Sequence, residues 1–160
     1  MSGFSRPSSR RGAPFRKRPI LALRAGVLAV VTPLLFRLPL PKVERVLRPR
    51  RASIGSAADA AGALWAAELG LRAVRWPLRT SCLHRGAVRY HLLGRAGIDV
   101  QLVFGAGHVD GAPAAHCWLL LDGQPYLGST DPREVFAPLY IMGSSPGASS
   151  GGPIRGDCVP

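Results

Sequence analysis

The dipeptide Asp122-Gly123, between the apolar run AAHCWLLL and QPYLG, constrains this 160-residue chain more than any other feature. A two-residue hairpin turn needs positive φ at both central residues, and Asp-Gly adopts it at low cost. Two antiparallel strands are therefore predicted, with their register fixed. His116 falls opposite Ser129, and His116, Trp118 and Leu120 share one face while Cys117 points to the other. Upstream, IDVQLVFG alternates, with Ile98, Val100, Leu102 and Phe104 on one side. This pattern predicts a half-buried strand, followed by a glycine-rich loop, GAGHVDG.

Two helices are predicted ahead of the strands. Residues 53–77, SIGSAADAAGALWAAELGLRAVRWP, carry Ser56 as an N-cap and Pro77 as a stop. Leu64, Glu68 and Leu71 share one face and Ala61, Trp65 and Leu69 another, so apolar residues surround most of this helix and place it centrally in the core. The next helix starts at Thr80 or Ser81, repeats Leu83, Ala87, Tyr90 and Leu93 or Gly94 at helical spacing, and ends at Gly97.

The net charge of +12 suggests a nucleic-acid partner until the charge is located. Residues 1–51 hold 13 Lys/Arg and one acid, Glu44, whereas residues 52–160 hold 8 Arg and 8 acids. The folded part is neutral, and the reading favours no nucleic-acid partner, only a basic arm. Residues 1–18 and 143–160 have the composition of disordered tails. Between the first tail and the main domain, PILALRAGVLAVVTPLLFRLPLP has its uncharged run bounded by Arg24 and Arg37 and interrupted by Pro33, short of the ~20 residues a bilayer span needs. It predicts a helix packed on the domain, or one resting on a membrane surface beside the basic tail. The expected organisation is a basic tail 1–18, a helical lead-in 19–52, a main domain 53–142 and a tail 143–160.

Three cysteines, Cys82, Cys117 and Cys158, form no CxxC pair and no Cys/His cluster. The pattern argues against a disulfide scaffold and against structural zinc, and fits a reducing, cytoplasmic compartment. No cofactor is expected. Cys82 falls in the first turn of a helix, where unpaired N–H groups and about half a positive charge favour thiolate over thiol. Taken alone, such a cysteine is also well explained as a small buried hydrophobe. A base changes the balance, and His116 enters a strand 34 residues later. Cysteine hydrolases use that arrangement: helix start plus imidazole activate sulfur. A third group would orient the ring. Asp131, two residues beyond the position facing His116, is the candidate, with Ser129 the weaker one.

At these residues the chain resembles a known family. SCLHRGAVRYHLLGRAGIDVQLVFGAG followed by AHCWLLLDGQPYL is similar to the transglutaminase-like cysteine proteases of lasso-peptide biosynthesis, the B2 leader peptidases. The similarity spans roughly residues 40–140, including the lead-in LLFRLPLPKVERVL, and its specificity lies in the combination of motifs. It implies an α+β fold with a papain/transglutaminase-like core, in which the catalytic Cys sits at a helix N-terminus packed on a small antiparallel sheet. It also implies Cys82 as nucleophile, His116 as base, and a ribosomally made precursor peptide cut between leader and core. The chain departs from the family pattern twice. Gly128 stands where the family places its acid, leaving Asp131 as a substitute or a Cys-His dyad, and HCW stands for HAW.

Residues 1–51 lack the strand alternation of a winged-helix recognition module. A separate leader-recognition protein is therefore expected to deliver the precursor, and the resemblance implies an ATP-dependent lasso cyclase that accepts the core. Two other classes stay open: a transglutaminase-like acyltransferase or amidase on another substrate, and a non-enzymatic module that binds a membrane or partner. Nucleotide binding through GAGHVDG is disfavoured, because a strand and not a helix follows it. His84 and His91 lie on one helix face and are read as surface or supporting groups; His108 is read as a loop residue.

Overall fold

The computed structural model describes residues 18–48, 56–74, 81–128 and 130–143. The expectations for residues 1–17 and 144–160, including Cys158, and those for Pro77, Thr80 and Ser129, lie outside the described residues. Four helices, α1 (Arg18–Leu35), α2 (Leu40–Leu47), α3 (Ala57–Val74) and α4 (Cys82–Arg95), precede the strands β1 (Val100–Val109), β2 (Ala112–Leu121), β3 (Gln124–Tyr126) and β4 (Phe136–Met142). The strands form one antiparallel sheet in the order β3-β2-β1-β4. This is the α+β arrangement of helices and a small sheet that the sequence implied.

The helices are held together by unusually small residues. On α3 the buried positions are Ala60, Ala63, Ala66, Ala67, Gly70 and Leu71. A Cβ at Gly70 would lie 2.5 Å from the Cβ of Ala25 and 2.6 Å from the carbonyl oxygen of Ala22, so α1 and α3 touch backbone to backbone. α3 enters the main core as expected, through its alanines and Leu71, whereas Trp65 and Leu69 on another of its apolar faces are exposed. Ser56 caps it as predicted: its hydroxyl oxygen accepts from the Asp59 N–H at 3.3 Å, and the Asp59 carboxylate reaches back to accept from the Ser56 hydroxyl and N–H at 2.7 and 3.0 Å.

α4 lies against β1 and β2 on one face of the sheet, burying Leu92, Leu93, Leu102, Cys117, Leu119 and Met142 in the main core. It ends as the sequence predicts. Gly97 takes φ +82, and the N–H of Ile98 donates to the Leu93 carbonyl, closing the helix. On the opposite face of the sheet, Val103, Trp118 and Leu120 form a smaller cluster with Phe136.

The glycine-rich loop is a correction. GAGHVDG is not a loop; β1 runs through it to Val109, and Asp110-Gly111 make a second tight turn (φ 52 and 77) into β2. The glycines are there for proximity. A Cβ at Gly107 would sit 2.1 Å from the Val135 carbonyl oxygen, where β4 crosses beside β1. His108 is thus an exposed strand residue, and this segment does not form a phosphate-holding loop. The predicted Asp122-Gly123 turn forms as read (φ 51 and 76), with Leu121 opposite Gln124 and Leu119 opposite Tyr126. β3 then stops, so the pairing never reaches His116.

A single acid ties the lead-in to the far edge of the sheet. Glu44 on α2 accepts hydrogen bonds from the Tyr140 hydroxyl at 2.8 Å and from the Gly143 N–H at 3.1 Å. It is also the one acidic residue in the basic first third of the chain.

Candidate active site

Cys82 is the first residue of α4, and Ser81 before it is the N-cap, with extended backbone (φ −83, ψ 175). The N–H of Ser81 donates to Nδ1 of His84 at 3.2 Å, and the Ser81 hydroxyl lies 2.9 Å from the same nitrogen. His84 thus takes the part that Glu or Gln plays three residues into a capped helix. The surface reading of His84 is therefore corrected. The residue is buried, desolvation holds its pKa below the usual imidazole value, and its Nε2 has no hydrogen-bond partner. His91, half-buried, bonds through Nδ1 to the Leu47 carbonyl at 2.9 Å and fastens α2 to α4.

The sulfur of Cys82 opens into a cleft of about 360 Å³ lined by Arg85, Arg89, His116, Cys117, Trp118 and Tyr126 among others. The cleft runs along the outer edge of β2 beyond the point where β3 ends. Cys117 lines this cleft with Cys82, and its backbone N–H helps hold the Cys82 thiol below its usual value. Arg89, on the cleft wall, pairs with Glu68 of α3.

Electrostatics at the sulfur favour the anion. The Cys82 thiol is lowered from 9.0 to about 5, first by a hydrogen bond from the Cys117 thiol, then by the Cys117 backbone N–H and by the hydrogen bond and charge of His116. Partial burial works against these and is outweighed. Cys117 is the converse: it donates to the Cys82 sulfur, is buried beside that charge, and holds its proton well above the usual thiol range. The two shifts run in opposite directions, so of the two thiols the one at the helix start is the one that ionises. Cys82 and His116 line the same cleft.

Cys117 is the residue that sequence reasoning set aside. It was read as pointing away from His116, which it does. That very face carries α4, so a cysteine on the first turn of α4 meets Cys117 as well as the imidazole edge. The available signal was alternation along AHCWLLL, since the core side of β2 had to be the side of Cys117 and Leu119.

The His116 ring lies on the other side, its centroid 5.1 Å from that of Phe136 and 6.3 Å from that of Trp118. Asp131 is engaged elsewhere. Its carboxylate accepts from the Arg133 backbone N–H at 2.9 Å, capping the short 3-10 helix Pro132–Glu134, and forms an ion pair with the Arg133 guanidinium at 2.6 Å. That pairing holds its pKa below the usual carboxylate range. Among the described residues no hydrogen bond joins Asp131 to His116, and none of the groupings of His, Cys, Asp and Glu could hold a metal ion.

A sequence profile described as the transglutaminase-like superfamily matches residues 25–141. The chain belongs to that superfamily. No curated protein and no solved structure matches the chain. The superfamily usually carries cysteine-based catalysis, and the match runs from Ala25 through nearly all of β4, so the later part of α1 and the whole of α2 lie within the shared region.

Proposed function

We propose that this member of the superfamily is a cysteine peptidase that removes the leader from a ribosomally made lasso-peptide precursor. The observation that carries the peptidase reading is a thiol lowered to about 5 beside an imidazole in an open cleft. The narrower substrate reading is supported by the motif resemblance alone: a Cys-Leu helix start, a Gly-Ile turn into a strand, and His-Cys-Trp leading to an Asp-Gly hairpin.

In this mechanism the Cys82 thiolate attacks the scissile carbonyl, forming a carbon–sulfur bond and a tetrahedral oxyanion. The Cys82 backbone N–H, unpaired at the helix start, is the candidate donor to that oxygen. His116 gives its proton to the leaving amine as the carbon–nitrogen bond breaks, leaving a thioester. His116 then accepts a proton from water as it attacks the thioester, and the thiolate departs. Asp131 does not orient the ring in the arrangement seen, so the reading rests on a Cys-His dyad.

A separate leader-binding protein would present the precursor, and an ATP-dependent cyclase would take the released core. The test is incubation with a lasso-peptide precursor together with its leader-binding protein, followed by intact mass analysis, with and without an added amine. Cleavage at the leader–core junction that disappears in Cys82→Ala supports the proposal. A mass gain equal to the amine, or amide hydrolysis of a side chain, assigns the same thioester chemistry to acyl transfer or to an amidase. An unchanged mass in every arm overturns it.

A further inference from the structure

The outward face of α1 has no role in the cleft, and its composition is the reverse of an ordinary surface helix. Its buried positions are the small residues Ala22, Ala25, Gly26 and Ala29 together with Thr32, on the side packed toward α3. Leu21, Leu28 and Leu35 pack partly against the core, while a second set of large aliphatics points away from the protein: Ile20, Leu23, Val27, Val30 and Leu34 are 55, 70, 56, 50 and 59 % exposed. They recur every three or four residues and make one stripe about 21 Å long at 1.5 Å per residue. Small residues against a neighbouring helix and large aliphatics outward is how helices are arranged when hydrocarbon lies on their outer side.

Three further observations say what covers the stripe. Residues 1–18, leading directly into it, contain six Lys/Arg (Arg6, Arg10, Arg11, Arg16, Lys17 and Arg18) and no acid. The exposed Arg24 stands on the rim beside Ile20 and Val31, where a long side chain carries its charge outward from an apolar bed. The stripe is purely aliphatic and lacks the Tyr, Trp, Met and Arg that mark the centres of protein–protein interfaces. Among the described residues no helix is long and apolar enough to cross a membrane.

We infer that α1 lies in the plane of an anionic lipid surface, its aliphatic stripe sunk among the acyl chains and the basic N-terminal segment against the headgroups. An amphipathic helix and a polybasic run are the two signals that together hold a peripheral protein at a bilayer. The attachment leaves the Cys82 cleft, built from α4 and β2, to act beside the membrane, and it stands whether or not the substrate reading above holds.

The experiment is co-sedimentation of the full-length protein with sucrose-loaded vesicles of phosphatidylcholine, alone or mixed with phosphatidylglycerol, at low and high salt. The wild type is expected to bind the mixed vesicles about tenfold or more over the neutral ones, and to lose that excess in high salt. L23S/V27S/V30S/L34S should lower binding to the mixed vesicles about tenfold, with circular dichroism and thermal melting unchanged because every altered side chain is exposed. R6Q/R10Q/R11Q/K17Q, which alters nothing in α1, should remove the anionic preference by itself. The inference is overturned by a wild type that stays in the supernatant, by a serine variant that folds and still binds as the wild type, or by a glutamine variant that keeps the preference. It is equally overturned if size exclusion shows a wild-type dimer that the serine variant turns into a monomer, since the stripe would then face a second copy of the chain.

Discussion

Cys82 and Cys117 line one cleft and pack into the same core where α4 covers β2, and Cys117 is the largest influence that lowers the Cys82 thiol, ahead of the imidazole of His116. The residue after the histidine, on the opposite face of β2, is therefore part of the site's electrostatics.

The first prediction follows from that pair. Alkylation of Cys82 by iodoacetamide should rise with pH through a midpoint of about 5 in the wild type and be level by neutrality. Cys117→Ala removes the thiol donor and keeps the backbone N–H. Its midpoint should move up by about one to two units, the worth of one hydrogen bond to a charged group. Alkylation and turnover near pH 8 should therefore survive. The sign carries over to stability. The folded value lies below the thiol's ordinary 9.0, so the contribution is full above 9, shrinks as pH falls and vanishes below about 5. The urea midpoint of the wild type relative to Cys82→Ala should follow that course; a difference that is flat from pH 5 to 9 would contradict it.

A second prediction separates the three residues read from the sequence as a triad. Cys82→Ala should abolish turnover, and His116→Ala should lower kcat/KM by about 10²-fold or more, because proton delivery to the leaving amine is lost. Asp131 caps a 3-10 turn and pairs with Arg133, so Asp131→Ala should change kcat/KM by about threefold or less. Steady-state kinetics on the three variants decide the matter, and a loss at Asp131 as large as that at His116 would restore the triad.

What the sequence disclosed and what it hid have a common cause. Ser56, Gly97 and Asp122-Gly123 were legible because caps and tight turns are local, set by a few consecutive residues. The pairing of Cys82 with His116 was suggested by a helix start and a later strand histidine and by the resemblance, but their proximity depends on how α4 settles on the sheet and is not local. Asp110-Gly111 carried the same turn chemistry as Asp122-Gly123 and was missed. Gly105 and Gly107 read as flexibility when they mark the close passage of β4, a strand whose own alternation is weak. The burial of small residues in place of large ones on α1 and α3 was hidden for a related reason. Hydrophobic periodicity shows which residues share a face but not which face turns inward when both are apolar.

Glu44 gives a third prediction, about stability. It joins α2 to the end of β4 through Tyr140 and Gly143, and the burial of Tyr140 together with that carboxylate raises the phenol to about 12. Glu44→Ala leaves both donors without their acceptor and should cost about 1–3 kcal/mol in urea denaturation. Tyr140→Phe should cost less, because the Gly143 N–H keeps its partner. In Glu44→Ala the extra effect of Tyr140→Phe should fall toward zero, a coupling that a double-mutant cycle reads directly.

Two glycine-to-alanine substitutions should move stability in opposite directions, because the two sites differ in what a methyl group would meet. At Gly107 the new Cβ would fall 2.1 Å from the Val135 carbonyl oxygen, a backbone atom with no side-chain freedom to yield. β4 would have to move off β1, so Gly107→Ala should cost about 1–3 kcal/mol or more. At Gly62, inside α3, nothing lies within 4 Å of the new Cβ and its φ carries no positive-angle constraint. Alanine there only removes the glycine's helix penalty, and Gly62→Ala should stabilise by about 0.5–1 kcal/mol. Thermal melts of the two variants against the wild type are the measurement. If Gly107→Ala were neutral, the glycines of GAGHVDG would have no packing role, and the account of why β1 runs straight through them would fail.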